Sequence, residues 1–328
     1  MAAKTAFVTG ATGFLGLNLV EQLTAAGWSV TALHRPTSDL RQLRAFEAEP
    51  VEGDLLDPAS LKRSLPQAVD AVFHVAADTS AWSRNDRRQT RINVEGTQNI
   101  LEAALAAKAR RFLHTSTWNT YGLEQGALHE DLPQLGGDSW INYNRTKFLA
   151  EEAVRAAGAR GLDAVILNPC HIMGRYDRHS WARIVIDLCN RWIPAAPPGA
   201  GCFCHGAAIA RAQIAAAERG RSGQNYLLSG QHASLLEVFR IIGEVAGCRV
   251  PDRSVPAFAF KAVARINVAL AAILGYEPEI TPEGVEMVSL DARVVSTRAE
   301  EELGYENVPL RILIEDSHAW LQGQGLVP

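Results

Sequence analysis

The sequence has few aromatic and sulfur-containing residues and no strong charge of either sign. Aromatic side chains make up 7% of its 328 residues, and there are three methionines and five cysteines. The formal net charge of −4 gives no reason to expect nucleic acid as a partner. The cysteines, at positions 170, 189, 202, 204 and 248, do not have the spacing of a disulfide scaffold. A reducing cytoplasm is therefore the expected location.

Long uninterrupted hydrophobic runs and metal-ligand pairs are missing as well. The most lipophilic stretch, Ala257–Leu274, is interrupted by two cationic residues and an asparagine, so a membrane span is not expected. A secretory signal is not expected either, because the first strand begins almost at the N-terminus. Cys202, Cys204 and His205 are close in sequence, but a closed zinc site requires a second ligand pair further away. No metal is therefore predicted.

The composition instead fits a folded α/β chain. Hydrophobic residues make up 47% and charged residues 21% of the sequence, so the chain can bury a sizeable core. Strand and helix patterns alternate through the first half, including a predicted helix at residues 40–48. This alternation predicts a Rossmann-type, doubly wound parallel sheet with right-handed crossovers. We expect a first domain of residues 1–175, rejoined by residues 205–230, and a smaller, mostly helical lobe of residues 176–204 and 231–328.

Three glycines follow the first predicted strand. Thr5–Thr9 is an apolar, β-branched run typical of a buried strand, and Gly10, Gly13 and Gly16 follow it before a helical pattern. Glycines let the backbone turn tightly and approach a pyrophosphate, and a helix N-terminus supplies free N–H groups and a positive dipole. This context of strand, turn and helix predicts a dinucleotide site. The alternative is a glycine-rich turn that only packs a helix on the sheet.

A tyrosine and a lysine lie four residues apart next to a later helical run. Tyr143 and Lys147 would share one face of a helix. A phenol titrates near ~10, and a neighbouring ammonium is expected to lower its pKa toward the range useful for proton transfer. The same spacing arises by chance on exposed helices, but together with the glycine run it predicts an active site.

The end of the second predicted strand discriminates between cofactors. An acidic residue there would hydrogen-bond the ribose 2′-hydroxyl of NAD. The strand ends instead at His34 and Arg35, and the first carboxylate, Asp39, follows a segment that is predicted to turn. Because a guanidinium binds a phosphate in a bidentate manner, we predict that Arg35 selects NADP(H), with NAD(H) as the alternative cofactor. The other interpretation of Arg35 is a solvated surface residue.

The glycine run and the tyrosine–lysine pair belong to a longer series of segments. In chain order they are residues 9–16 (TGATGFLG), 53–57 (GDLLD), 73–77 (FHVAA), 93–97 (NVEGT), 114–117 (HTST), Tyr143 with Lys147, and 168–169 (NP). Their order and spacing resemble the extended short-chain dehydrogenase/reductase family, and within it the branch of dihydroflavonol reductases and hydroxysteroid dehydrogenases. The resemblance covers nearly the whole chain and implies a small-molecule substrate and a homodimer.

The resemblance also implies roles for individual cofactor-binding positions. Gly10, Gly13 and Gly16 would face the pyrophosphate, with backbone N–H groups supplied by Phe14 and Leu15. The remaining positions, from the adenine to the nicotinamide end, are Asp54 and Leu55 at the adenine, Ala76 and Ala77 at the ribose, Asn93 as a support for the active-site lysine, and Pro169 and Ile172 at the nicotinamide amide.

A catalytic hydroxyl beside the tyrosine is implied by the same resemblance. Counting back from Tyr121, the family position falls on Thr117, with Ser116 as the alternative. In the implied mechanism the nicotinamide gives a hydride to a carbonyl carbon while Tyr143 gives a proton to the oxygen. Thr117 aligns that oxygen, and Lys147 lowers the pKa of the tyrosine and holds the nicotinamide ribose.

Three functions stay open at this point: a carbonyl reductase or alcohol dehydrogenase, a nucleotide-sugar epimerase, and a non-catalytic NADP(H)-binding protein. A dehydratase is not expected, because Trp118 and Asn119 stand where dehydratases of the family carry an Asp-Glu pair. Apolar residues in loops near the strand C-termini favour an apolar carbonyl substrate. The predicted substrate residues are Trp82, Trp118, Asn119, Met173 and Trp181. Arginines at positions 175, 178, 183 and 191 could instead bind a nucleotide diphosphate.

Overall fold

The computed structural model describes residues 3–122, 126–191 and 193–328 as strands and helices joined by short loops. The strands are β1 (Thr5–Thr9), β2 (Ser29–His34), β3 (Ala48–Glu52), β4 (Ala71–His74), β5 (Phe112–Thr115), β6 (Ala127–Leu128), β7 (Ala164–Pro169), β8 (His171–Met173), β9 (Ala200–His205), β10 (Asn225–Leu228), β11 (Gln231–Ser234) and β12 (Arg293–Val294). The helices are α1 (Phe14–Ala25), α2 (Pro58–Ser64), α3 (Asp86–Thr90), α4 (Gly96–Ala106), α5 (Asn142–Ala159), α6 (Ala182–Asn190), α7 (Gly206–Arg219), α8 (Leu235–Ala246), α9 (Ala257–Leu274), α10 (Pro282–Val288), α11 (Thr297–Leu303) and α12 (Leu310–Gly323).

Seven strands form the central sheet, in the order β10-β7-β5-β4-β1-β2-β3. Every neighbouring pair is parallel. The strand order reverses between β1 and β4, and open α/β sheets bind ligands beyond the strand C-termini at such a point. The predicted Rossmann-type, doubly wound sheet is therefore confirmed.

Consecutive residues along the strands bury their side chains on opposite faces of the sheet. Phe7 of β1 packs in one buried cluster with Phe112 and Ile166, and its neighbour Val8 packs in another with Phe73. One cluster includes residues of α4 and α5, and the other includes residues of α1 and α7. Two covered faces explain why these strands are continuous apolar runs.

Two local predictions differ from the structure. Residues 40–48 contain only a single 3-10 turn at Leu43–Ala45, and β3 begins at Ala48. β3 is an edge strand, so Pro50 is tolerated there without breaking the sheet. The helix that carries Tyr143 also begins earlier than its apolar run suggested, at Asn142.

The smaller lobe forms around a second sheet with the order β11-β9-β8. Side chains of α6, α8 and α12 pack with it in a core of their own. Cys202, Cys204 and His205 lie in β9, where His205 Nε2 is 3.0 Å from Asp316 Oδ2. In residues 3–122, 126–191 and 193–328 no group of three or more His, Cys, Asp or Glu side chains is arranged to hold a metal ion.

One helix in the described part of the chain, α9, is long and apolar enough to cross a membrane by length and composition alone. The core helix of a soluble protein passes the same test when it is mostly buried. In α9, however, only Ala264 and Ala271 are buried.

Two histidines occupy the centre of the sheet. His74 of β4 lies between the hydroxyls of Thr9 and Thr97, at 2.8 and 3.0 Å. Within the described part of the chain, neither ring nitrogen of His114, the neighbour of His74 on β5, has a hydrogen-bond partner. Burial lowers the pKa of His74 to about 3 and holds the pKa of His114 well below its usual value, and the Lys147 ammonium adds to both shifts. Both imidazoles are therefore neutral in the folded protein.

We predict that His114→Leu makes the fold less sensitive to acid. As the pH falls through the ordinary histidine pKa, the unfolded chain takes up a proton that the folded chain does not, so the free energy of unfolding decreases. Between pH ~7.5 and ~5 each such histidine accounts for a loss of ~2 kcal/mol. Urea unfolding at both pH values should show a loss smaller by this amount in His114→Leu. The exposed His129→Leu should match the unmodified protein, and an equal loss in all three proteins would contradict the prediction.

Candidate active site

The turn between β1 and α1 is closely packed and requires glycine at two positions. Gly10 has φ +70°, and a Cβ atom there would lie 2.7 Å from the backbone nitrogen of Ala76. A Cβ atom on Gly16 would lie 2.0 Å from the carbonyl oxygen of Gly10. Both contacts are too short for any side chain, so helix α1 and the end of β4 approach this turn as closely as they do only because these positions are glycine.

Free backbone donors lie at the start of α1. Gly13 precedes the helix without a side-chain cap, and the first turn contains no acidic residue. The N–H groups of Phe14, Leu15 and Gly16 therefore have no intrahelical acceptor and lie at the positive end of the helix dipole. A pyrophosphate fits this arrangement, so these residues could hold a dinucleotide there.

The predicted adenine and ribose positions follow the ends of β3 and β4. Asp54 Oδ1 accepts a hydrogen bond from the backbone nitrogen of Leu56 at 2.8 Å, which shapes the turn after β3. Leu55 is buried, whereas Ala76 and Ala77 are partly exposed. These residues lie on the same edge of the sheet as the glycine turn, as their predicted roles require.

Arg35 follows directly after β2 on the same edge of the sheet. Its side chain is exposed and has no ion-pair partner within residues 3–122, 126–191 and 193–328. The first carboxylate after it, that of Asp39, is bound by Arg41 at 2.6 Å, and this contact lowers the pKa of Asp39 to about 2. The carboxylate of Asp39, the first acidic group after β2, is thus already held in an ion pair with Arg41.

Tyr143 and Lys147 lie one turn apart in α5, as the spacing predicts. Lys147 Nζ donates a hydrogen bond to the carbonyl oxygen of Thr115 at 2.7 Å, at the end of β5. Burial lowers the pKa of Lys147 to about 8, and the Glu151 carboxylate opposes this shift. Burial raises the pKa of Tyr143 to about 12, and only a hydrogen bond with Thr117 opposes it. The predicted lowering of the Tyr143 pKa is therefore wrong for the chain alone, where burial raises it.

The two candidate hydroxyls point to different partners. The Thr117 side chain lies close to the Tyr143 phenol, where it opposes the rise of the phenol pKa that burial causes. The Ser116 hydroxyl donates instead to Glu151 Oε1, away from the phenol. The geometry thus brings Thr117, Tyr143 and Lys147 together and leaves Ser116 outside the group.

Glu151 is a site residue that the sequence analysis missed. Its side chain has no solvent exposure and pairs with Arg155 at 2.8 Å. Five further side chains donate hydrogen bonds to its carboxylate: Ser116 (2.5 Å), Thr120 (3.1 Å), Gln134 (2.7 Å), Asn168 (2.6 Å) and Asn225 (2.9 Å). The only local signal was its position, one helical turn after Lys147 on the face that carries Tyr143.

Asn93 joins two parts of the site. It lies in a π-helical turn, Arg91–Glu95, a distortion that is frequent at functional sites. Its amide exchanges two hydrogen bonds with the backbone of Asp78, at 2.7 and 3.0 Å, and donates to Thr146 Oγ1 at 3.1 Å. Asn93 thus links Asp78 to the helical turn that carries Lys147, and its support of the active-site lysine through the backbone stays a prediction.

Known proteins resemble the chain over its whole length. The model of the NAD dependent epimerase/dehydratase family matches residues 6–226. The chain belongs to this family. It is 31% identical to sterol demethylase protein B of Methylococcus capsulatus, over 98% of this chain and 100% of the relative.

Two further similarities concern a ketoreductase and a solved structure. The 4-hydroxy-2-methyl-3-oxo-4-farnesyl-3,4-dihydroquinoline-1-oxide ketoreductase of Stigmatella aurantiaca is 29% identical, over 91% of each chain. The crystal structure of gox2253 superposes with a TM-score of 0.85 at 31% identity, covering 99% of this chain and 100% of that one. Together with the family match, these similarities identify an oxidoreductase of the NAD dependent epimerase/dehydratase family, and the predicted extended short-chain dehydrogenase/reductase family is confirmed.

The residues that the sequence predicts near the substrate and the nicotinamide include both buried and accessible side chains. Trp118 and Met173 lie in hydrophobic cores, 2% and 1% exposed, so a substrate contact by either stays a prediction. Trp82, Trp181 and Ile172 are partly exposed, whereas Pro169 is buried at the end of β7. His171, which the sequence analysis missed, packs its ring 5.9 Å from Trp118 and 4.8 Å from Trp181.

Asn119 marks the wall between the sheet and the smaller lobe. Its Nδ2 lies 3.6 Å from Met287 Sδ of α10, and its Oδ1 is buried without a hydrogen-bond partner among residues 3–122, 126–191 and 193–328. The Thr281 hydroxyl, just before α10, donates to the carbonyl oxygen of Ala81 at 2.8 Å. Helix α10 therefore covers the loops that follow β4 and β5.

All four arginines considered for a nucleotide diphosphate contact protein groups instead. Arg175 pairs with Asp316 and Glu21, and the Arg178 guanidinium lies 5.2 Å from the centroid of the Trp320 ring. Arg183 and Arg191 each pair with Asp187 and Glu279, at 2.6 to 3.2 Å.

We predict that Glu151→Gln destabilises the fold by ~3 kcal/mol. The substitution leaves Arg155 without its buried carboxylate partner, and the new amide N–H₂ group faces side chains that are themselves hydrogen-bond donors. The neighbouring Glu152 pairs with the same guanidinium but is exposed, so Glu152→Gln should cost less than ~1 kcal/mol. Urea unfolding measures both. Equal losses of unfolding free energy in the two variants would show that the buried Glu151 carboxylate stabilises the fold no more than the exposed Glu152 carboxylate does.

Proposed function

We propose that this chain is an NADP(H)-dependent oxidoreductase that reduces the carbonyl group of a ketone or an aldehyde to an alcohol, or catalyses the reverse reaction. The observation that carries the proposal is the group formed by Thr117, Tyr143 and Lys147. It lies beyond the C-terminus of β5, on the same edge of the sheet as the glycine turn. A bound nicotinamide supplies the hydride.

The proton is delivered by the phenol. With its pKa raised to about 12, Tyr143 stays protonated at neutral pH and can give its proton to a carbonyl oxygen. The Thr117 hydroxyl lies next to the phenol and donates a second hydrogen bond to the same oxygen. Negative charge that develops on the oxygen thus meets two donors that are already in position, which is the larger source of rate.

Lys147 acts at the strand end beside this pair. Its ammonium is anchored by the Thr115 carbonyl oxygen, and the family resemblance implies that it also holds the nicotinamide ribose. With a pKa of about 8 it is mostly protonated at neutral pH. Loss of this proton would remove a positive charge from the site.

An apolar substrate fits the side chains of the smaller lobe better than a nucleotide sugar does. Trp181 is partly exposed beside His171, and the wall next to Asn119 is the thioether of Met287. The names of two relatives mention a sterol and a farnesyl-substituted ring, both lipophilic. We therefore propose a lipophilic carbonyl compound as the substrate class.

A nucleotide-sugar epimerase is the second candidate, favoured by the family description and by the same Tyr143 and Lys147 pair. A nucleoside diphosphate requires free cationic groups for its phosphates. The ion pairs of Arg175, Arg183 and Arg191 would have to break first. Each of these exposed pairs costs ~1 kcal/mol or less to break, so the apolar side chains near the site favour the reductase more than this cost does.

The cofactor preference rests on Arg35. A 2′-phosphate would meet an exposed guanidinium that has no ion-pair partner among the described residues, whereas the first carboxylate after it, that of Asp39, is bound to Arg41. A homodimer, a cytoplasmic location and the division of the chain into domains near residue 175 stay predictions.

We predict that the protein consumes NADPH stoichiometrically with lipophilic ketones or aldehydes. The variant Tyr143→Phe should bind NADPH normally, but its kcat should fall at least ~100-fold because the proton donor is missing. Absorbance at the nicotinamide band measures turnover, and fluorescence titration measures binding. Epimerisation of a UDP-sugar without net NADPH consumption would instead establish the second candidate. Binding without turnover over a broad carbonyl panel would establish a non-catalytic protein.

The choice of hydroxyl has its own outcome in the same assay. Thr117→Ala should lower kcat, since it removes a donor to the substrate oxygen, whereas Thr117→Ser should restore most of it. Activity lost in Ser116→Ala but kept in Thr117→Ala would reverse the assignment.

We predict that Arg35→Asp lowers the ratio of kcat/KM for NADPH to that for NADH by ~10- to 100-fold, the value of one or two charged hydrogen bonds. Arg240→Asp, which makes the same charge change at an exposed position of α8, is the control and should leave the ratio unchanged. An unchanged ratio in Arg35→Asp would mean that Arg35 is not the selector.

A further inference from the structure

Helix α9 exposes an apolar face that no other part of the described chain covers. Its exposed large apolar side chains are Phe258, Val263, Ile266, Leu270, Ile273 and Leu274. Phe258 and Ile273 are 79% and 80% exposed. At 3.6 residues per turn these positions fall on one side of the helix, opposite the buried Ala264 and Ala271. Contiguous exposed apolar patches of this kind mark interaction sites.

The charged groups around α9 are arranged asymmetrically. The helix contains no acidic residue, and its two cations are Lys261 and Arg265, which project beside the apolar face. Lys261 pairs with Glu286 of α10 at 2.9 Å. Arg265 is exposed and forms no ion pair with residues 3–122, 126–191 or 193–328.

Nearby acidic side chains are occupied by the protein itself. Glu277, which follows the helix, accepts hydrogen bonds from Ser80 and Asn85. Glu279 is bound by Arg183 and Arg191. Within α9 itself the charge left without an ion pair among the described residues is that of Arg265, at the edge of the apolar face, and a cation there complements a surface of anionic phospholipid.

We propose that α9 docks the protein peripherally on an anionic phospholipid bilayer, with the helix lying in the plane of the interface. Interfacial helices have this pattern of an apolar face with cationic residues beside it. The opposite face of α9 packs on the lobe through Ala264, Ala271 and the Lys261–Glu286 pair. Crossing the bilayer would break these contacts, whereas lying on it preserves them.

A second copy of the chain is a poorer occupant of this face. A helix of 18 residues is ~27 Å long and ~10 Å wide, so it presents a strip of ~270 Å². A stable dimer buries ~800 Å² on each partner. Insertion of single side chains into a bilayer requires no such minimum buried area.

The docking would also bring the site close to the membrane. Helix α10, which covers the loops after β4 and β5, packs directly against α9. A lipophilic substrate dissolved in the bilayer would then have a short path to the site, a consequence that rests on the proposed function. The docking itself does not depend on turnover.

Co-sedimentation with vesicles tests the proposal on the full-length protein. With vesicles of phosphatidylcholine and phosphatidylglycerol in equal parts, the unmodified protein should sediment with the lipid. Ile266→Asp should weaken the partition at least ~10-fold, because it places a charge at the centre of the apolar face. Ile312→Asp, the same change at an exposed position of α12, should bind as the unmodified protein does. Thermal unfolding and NADPH turnover with a water-soluble carbonyl check that both variants are folded.

The charge preference and the competing occupant are distinguished by two further measurements. Arg265→Gln should weaken binding to the anionic vesicles ~5-fold and leave binding to pure phosphatidylcholine unchanged. Absence of sedimentation by the unmodified protein would overturn the proposal. Light scattering that shows a dimer dissociated by Ile266→Asp, without vesicle binding, would assign the face to a second copy. Vesicle binding without any carbonyl turnover would leave the docking standing and remove the proposed function.

Discussion

The carboxylate of Glu151 is buried without solvent contact, at a point where α5 meets the ends of β5 and β7 and the start of β10. A buried charge costs several kcal/mol unless it is paired and hydrogen-bonded, and here both conditions are met by one arginine and five donors. Because the donors come from different segments, the network is complete only when all of them are correctly placed. Helix α5 is therefore fixed in position and rotation.

That constraint determines where the chemistry is. The helical repeat places Lys147 one turn before Glu151, and Tyr143 one turn before that, on the same face. Burial of the phenol and the ammonium shifts both pKa values toward the neutral forms. The Glu151 carboxylate limits the shift of Lys147, so the lysine keeps most of its charge at neutral pH. The same side chain thus stabilises the fold and maintains the charge of the site.

Sequence reasoning reached the parts of the site that depend on local rules. Gly10 and Gly16 are needed for close backbone approach, and the spacing of Tyr143 and Lys147 follows from the helical repeat. It did not reach Glu151, because its partners are as far as 74 residues away in the chain. It predicted the wrong direction for the Tyr143 pKa because desolvation depends on burial, which one helix face does not reveal. The pairs of Arg175 with Asp316 and Glu21 were not visible in the sequence, because these partners lie 141 and 154 residues away.

The contrast between the two lobes bears on how an apolar substrate could arrive. The main sheet buries its apolar side chains on both faces, whereas α9 leaves Phe258 and Ile273 largely exposed. Apolar surface in water is unfavourable in proportion to its area, so a helix with this face is stable on the lobe only because its other face packs there. Since α10 lies between this helix and Asn119, a surface that covers α9 would adjoin the wall of the site. An apolar substrate could then reach the site without crossing bulk water.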